Sequence, residues 1–167
     1  WNIRQSRDDS IPIRLNTALV IRIGSIVSSF PTRIVYNSRV SAEQHRARGY
    51  AAERSVVIAN GFDCTIFKPN LRARDQLREE LGLSNDTVLI GMVARYHPMK
   101  DHANFLRAAA ILSRTIPKAQ FVLVGNGVNP ANAEIKRQAR TDGLADRVHL
   151  LGEREDIAHI TAGLDLF

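Results

Sequence analysis

In the second half of the chain, apolar runs of strand length alternate with stretches of helical period. Thr87 to Ala94 (TVLIGMVA) is continuous and apolar, and the chain turns polar at Arg95. A helical pattern follows from His102 to Thr115, with Asp101 placed to cap it and Pro117 ending the unit. Gln120 to Val124 predicts the next strand, Gly125-Asn126-Gly127 a tight turn, and Asn132 to Thr141 a further helix. Arg147 to Leu151 predicts a third strand, Gly152 to Asp156 a loop, and Ile157 to Gly163 a short helix. Leu164 starts one more strand. Strands that alternate with helices in this way predict parallel pairing and a doubly wound α/β sheet.

The first half is less regular. Trp1 to Arg4 reads as the end of a strand, followed by a polar loop through Ser10. Ile13 to Phe30 is mostly apolar with Arg14, Asn16 and Arg22 spaced through it, which predicts a long helix, buried or amphipathic. The charges interrupt it too often for a membrane span, which needs about 20 mostly apolar residues. Arg33 to Asn37 predicts a strand, Ser38 or Ser41 a cap for a helix running to Arg48, and Val56 to Ala59 another strand. Asn60-Gly61 breaks that strand, and Phe62 to Asn70 reads as an extended linker containing Pro69. Arg72 to Leu81 is a charged helix stopped by Gly82. There is no internal repeat.

Composition narrows the classes. The 44% hydrophobic content of these 167 residues is enough for a packed core and excludes a disordered chain. One cysteine, Cys64, excludes an internal disulfide framework and fits a reducing compartment. The net charge of +6 is uneven: residues 1–60 carry nine arginines against four acidic groups, whereas residues 61–167 are nearly balanced. Anionic lipid, an acidic substrate or nucleic acid fits such a segment, as does a plain solvated surface. Aromatic content of 6%, with no interleaving of aromatic and basic residues, argues against nucleic acid. The chain has no initiating Met and stops inside the apolar run Leu164 to Phe167, so it is expected to be an internal piece of a longer protein.

Arg95 and Lys100 are the first candidates for chemistry. Ligands of open α/β sheets bind beyond the carboxyl ends of the strands, and two cations at a strand end suit an anion such as a diphosphate. A surface pair flanking a turn is the alternative. Gly125, Asn126 and Gly127 lie between a strand and a helix, where a backbone without side chains can approach a ligand; a plain turn explains them nearly as well. The longer G-x-G-x-x-G fingerprint is absent, so no nicotinamide cofactor is inferred. The five histidines show no metal-ligand spacing, and Asp8-Asp9 is a loop pair, so no metal is expected.

The ordered set NGFD with FKP after it, a strand ending in Arg95, Lys100, FVLVGNG, VHLLGEREDI and LDLF resembles the group 1 retaining glycosyltransferases. The resemblance implies a B-type architecture of two Rossmann-like domains facing a cleft, incomplete here at both ends. Residues 1–59 would be the end of an acceptor-side domain, 60–69 the interdomain linker, and 70–167 the first part of a donor-side domain. Arg95 and Lys100 match the pair that holds the diphosphate of a nucleotide-sugar donor. That donor is a substrate, so no cofactor is implied. Gly152 to Arg154 matches a segment lying against the nucleotide base; Arg154 fits equally well as an ion-pair partner of Asp156. Ala59 stands where the family's linker usually has proline, and Asn60-Gly61 is a hinge, an ordinary turn, or both. Arg4 stands where many relatives carry histidine, so a histidine role does not transfer. Arg4 contacts phosphate or acceptor, or is simply basic. Ser38 is an acceptor-side candidate, with a helix cap as the simpler reading. The family's downstream glutamates lie beyond Phe167.

The expected parent enzyme transfers a sugar with retention and without a metal to a glycan or lipid-linked acceptor. It would be cytoplasmic, with peripheral contact at an anionic inner membrane face. The piece alone is expected to be inactive and marginally stable. A nucleotide-sugar epimerase of the same fold and a non-catalytic basic α/β module are the alternatives.

Overall fold

The computed structural model describes residues 1–4 and 15–167. The polar loop through Ser10, the Asp8-Asp9 pair, and the first residues of the expected long helix, Ile13 and Arg14, lie outside them. The chain divides into two compact units, Trp1–Phe62 and Asp63–Phe167. The division falls within the stretch read as a linker.

The first unit contains β1 (Asn2–Ile3), α1 (Leu15–Ile26), β2 (Ile34–Tyr36), α2 (Arg39–Ala47) and β3 (Ser55–Val57). Its three strands pair in parallel in the order β1-β2-β3. Ile34, Tyr36, Ala42 and Tyr50 form the core, with Ile3 and Ile21 packed against it. α2 starts where expected because the Ser38 hydroxyl accepts the Ser41 N–H at 3.1 Å. α1 stops short of Phe30. Ser28 leaves the helix, donates its hydroxyl to the Ser25 carbonyl at 2.7 Å and accepts the Ala51 N–H at 2.8 Å. The helix end is thereby tied to the segment leading into β3.

The stretch between the units is not extended throughout, as the sequence suggested. Asp63 Oδ1 accepts from the Thr65 N–H at 2.8 Å and the Thr65 hydroxyl at 2.6 Å. The Ile66 and Phe67 N–H groups bond the Asp63 carbonyl. An aspartate at the head of a turn closes it with its own side chain.

The second unit contains α3 (Leu71–Glu80), β4 (Val88–Val93), α4 (His102–Thr115), β5 (Ala119–Val124), α5 (Ala133–Thr141), β6 (Val148–Leu150) and α6 (Ile157–Gly163). Its strands are parallel in the order β4-β5-β6, and Leu166 pairs in parallel with Ile90 on the other side of β4. The strands alternate their burial between two cores. Ile90, Phe121 and Leu123 pack on Leu106 and Ala109 of α4 and Ile135 and Ala139 of α5. Leu89, Val122 and Val124 pack on Leu77 of α3 and Ile160 of α6. Helices thus cover both faces of the sheet, which is why these strands read as continuous apolar runs. This is the doubly wound α/β arrangement expected from the sequence.

One buried charge fastens this unit. Arg78 is wholly buried in α3. It donates to the carbonyls of Thr87 (2.8 Å) and Gly163 (3.0 Å) and to Asp165 Oδ2 (2.5 Å). The same Asp165 oxygen accepts the Leu89 N–H at 2.8 Å. Thus α3, β4 and the segment leaving α6 meet at one guanidinium, whose fork geometry suits several acceptors at once.

Candidate functional site

The order of the strands points to a candidate site. From β4 the chain moves by way of α4 to β5 and then β6. It returns by way of α6 to the opposite side of β4, where Leu166 pairs with Ile90. The carboxyl end of β4 is therefore the point at which the winding reverses, the position where open α/β sheets bind ligands. Arg95 is the second residue beyond β4.

Backbone hydrogen bonds knit the three strand ends into one rim. The Tyr96 N–H donates to the Asn126 carbonyl at 2.7 Å, the Gly125 N–H to the Gly152 carbonyl at 2.7 Å, and the Gly152 N–H to the Val128 carbonyl at 2.7 Å. Gly125 (φ +147°) makes the closest approach, since a β-carbon there would lie 2.3 Å from the Ala94 carbonyl oxygen. Gly127 (φ +76°) likewise sits against the Tyr96 β-carbon. Beside them the Asn126 amide donates to Glu153 Oε2 at 2.8 Å. The structure thus brings Arg95, Gly125, Asn126 and Gly127 together with Gly152 and Glu153.

Lys100 closes the loop that Arg95 opens. Residues Pro98–Lys100 form a single 3₁₀ turn, which the sequence reading did not anticipate. His97 Nδ1 accepts the Met99 N–H at 3.2 Å and so caps the turn. Asp101 adopts a left-handed conformation (φ 51°, ψ 49°), and its carboxylate caps α4 by accepting the Asn104 N–H at 3.2 Å. The side chains of Arg95 and Lys100 are exposed and, among the described residues, make no ion pair or hydrogen bond with the protein. Two cations without protein partners on a well-fastened loop are available to an anion.

Arg154 is differently placed. Its guanidinium bonds Glu80 Oε1 at 2.6 Å and Asp156 Oδ2 at 2.7 Å. These carboxylates raise its pKa above the usual arginine value and hold Asp156 below the usual carboxylate range. The ion-pair reading of Arg154 describes what the structure shows, with Glu80 as a partner the sequence did not suggest. Ser38, in the other unit, spends its hydroxyl on the α2 cap. Arg4 and Asn37 line an open depression of about 330 Å³ with Asn2, Val35 and the residues Ile58 to Gly61. There Asn37 Nδ2 donates to the Arg4 carbonyl at 3.2 Å.

The sequence reading missed His102. It opens α4 as expected, but it is buried, 4% exposed, and its ring lies 5.4 Å from that of Tyr96. The available signal was its place directly after Lys100-Asp101, where a helix start normally faces solvent. Among the described residues no group of three or more His, Cys, Asp or Glu side chains is arranged to hold a metal ion.

Comparison with known proteins shows the family and the fold. Residues 73–167 match the family described as glycosyl transferases group 1. The chain is 37% identical over 115 residues to the putative glycosyltransferase EpsF of Bacillus subtilis, covering 69% of this chain and 29% of that protein. It is 28% identical over 131 residues to the lipopolysaccharide core biosynthesis mannosyltransferase LpsB of Rhizobium meliloti, covering 77% of this chain and 37% of that protein. Among solved structures, Anabaena HepE in complex with UDP and glucose superimposes with a TM-score of 0.72 at 29% identity, covering 87% of this chain and 40% of that one. The chain therefore spans well under half the length of these relatives. On the strength of the matched residues and of the shared fold, it belongs to the group 1 glycosyltransferases.

Proposed function

We propose that the protein containing this chain transfers a sugar from a nucleoside diphosphate sugar to a glycan or lipid-linked acceptor. One observation carries the proposal: Arg95 and Lys100, without protein partners, stand on the loop that leaves β4 where the winding of the sheet reverses. In the reaction the bond between the sugar's anomeric carbon and the diphosphate oxygen breaks, and its electron pair stays on that oxygen. Preorganised cations lower the energy of that developing charge, and one such group is typically worth about 10²–10³ in rate. Arg95 grips phosphate oxygens with a planar fork, and Lys100 adds a point charge. Gly125 and Gly127 leave the rim clear of side chains. The two cations supply counter-charge to the leaving group, which supports a reaction without a metal. Retention is what the family resemblance implies. The UDP complex of HepE makes uridine diphosphate the first nucleotide to test.

The first unit supports an acceptor side held at an anionic membrane face in the cytoplasm. Leu15, Leu19, Val20, Ile23 and Ile26 of α1 are exposed together with Arg22, in a unit rich in arginine. No helix among the described residues is long and apolar enough to cross a membrane. Apolar contact combined with basic charge is the usual chemistry of peripheral attachment.

Titration of UDP into the full-length protein in the presence of a chelator tests the site. Binding that weakens at least about tenfold in Arg95→Ala and in Lys100→Ala is expected. Equal binding by wild type and both variants would contradict it. Flotation with vesicles containing phosphatidylserine tests the membrane contact, and flotation lost at high salt is the expected result.

A further inference from the structure

The reaction leaves one residue beside the site unexplained. His102 is the first residue of α4 and is 4% exposed, yet neither ring nitrogen makes a hydrogen bond. Buried polar atoms normally find partners, and an aliphatic side chain would fill this place without leaving any unpaired. The ring packs on Tyr96, tilted by 54° with centroids 5.4 Å apart. Burial pushes the imidazole below its ordinary value, against the opposing influence of the Ala94 carbonyl and the Asp101 carboxylate. Ala94 is the residue directly before Arg95, and among the described residues no backbone N–H donates to its carbonyl. An unpaired acceptor and an unpaired ring therefore face each other behind the loop that carries both cations. Asp101, between Lys100 and His102, is also the one described non-glycine residue with positive φ. A strained backbone of this kind persists only where its surroundings hold it in place.

We propose that His102 is a positioning residue for the diphosphate site: its ring N–H takes the Ala94 carbonyl when an anion draws the loop in, fixing Arg95 and Lys100 at the spacing one diphosphate requires. The inference rests on the donor-site reading above. Hydrogen bonds of this type are often misaligned without ligand and tighten in the complex. His102 touches no ligand itself. It acts through the peptide that ends in Arg95 and through Tyr96, whose backbone N–H is anchored to the Asn126 carbonyl.

The test uses the full-length protein and titration with UDP and with GDP, taking whichever binds wild type more tightly. His102→Leu fills the space and removes the donor, while His102→Gln keeps a donor. His102→Leu should melt no lower than wild type but bind the nucleotide at least about tenfold more weakly, and His102→Gln should recover most of that loss. In an Arg95→Ala background the His102→Leu effect should shrink to less than about twofold, because the two residues act as one unit. Wild-type binding by His102→Leu would overturn the inference while leaving the donor site intact. So would an equal loss with and without Arg95, which is the mark of a merely structural role. Unchanged binding by Arg95→Ala, or no binding of either nucleotide by wild type, would overturn the donor-site reading itself, and the inference with it.

Discussion

A β-carbon placed on Gly125 would lie 2.3 Å from the carbonyl oxygen of Ala94 and 2.5 Å from its carbon. The end of β5 and the peptide leading into Arg95 are in direct backbone contact, and only a residue without a side chain permits it. The rim of the site is therefore built by main chain, with Arg95 held by what lies beneath it.

Gly125→Ala should accordingly damage both stability and function. The alanine must adopt φ near +147° and push the Ala94 peptide away, at roughly 1–3 kcal/mol for the backbone strain alone. Displacing Arg95 by about 1 Å would cost on the order of 10²-fold in turnover. Thermal melting together with donor cleavage checks both. A variant with normal melting and normal turnover would show that the contact does not position Arg95.

Asp165→Ala should be among the most destabilising single changes in the second unit. It removes the carboxylate that faces the wholly buried Arg78 guanidinium and leaves the Leu89 N–H without its acceptor. Breaking a buried pair from one side costs about 3–5 kcal/mol. Urea unfolding should show a midpoint far below wild type. A shift equivalent to less than about 1 kcal/mol would contradict the buried-charge account.

Arg154→Ala should do little. Its guanidinium is already engaged by Glu80 and Asp156 on a partly exposed surface, where such pairs are worth about 0.2–1 kcal/mol. UDP affinity should change less than about threefold on the same grounds. A tenfold loss would return Arg154 to the donor site.

Acid should weaken the second unit through its histidines. Burial lowers the pKa of both His102 and His149 from 6.5, so the unfolded chain takes up protons that the folded one refuses. Their contribution to stability is complete above 6.5 and is lost as the pH falls from there through the lowered folded values. The melting temperature should decline over the interval just below pH 6.5, and less steeply in His102→Leu. A melting temperature that rises over that interval would contradict the burial of neutral imidazoles.

The sequence shows the fold of the second unit because its signals are local. TVLIGMVA and FVLV read as strands because both faces of the sheet are covered, and Asp101 and Gly82 mark helix ends by capping chemistry. α1 is less legible. The residues just past its end are tied to Ala51 through Ser28, a contact across 23 positions. The same limit applies at the site. Arg95 and the Gly125 turn stand at strand ends and Lys100 just before a helix start, so all three can be picked out from pattern alone. The engagement of Arg154 depends on Glu80, 74 positions away, and the burial of Arg78 and His102 depends on helix packing. A charged or polar residue near a helix end normally signals solvent, and nothing local marks these two as exceptions.

The most direct test of the proposed chemistry is the rate at which the full-length protein cleaves UDP-glucose or another nucleotide sugar, wild type against Arg95→Ala, at saturating donor. If Arg95 stabilises the departing diphosphate, turnover should fall by about 10²–10³-fold while melting is unchanged. Turnover within about threefold of wild type would remove Arg95 from the reaction and leave the loop after β4 as surface.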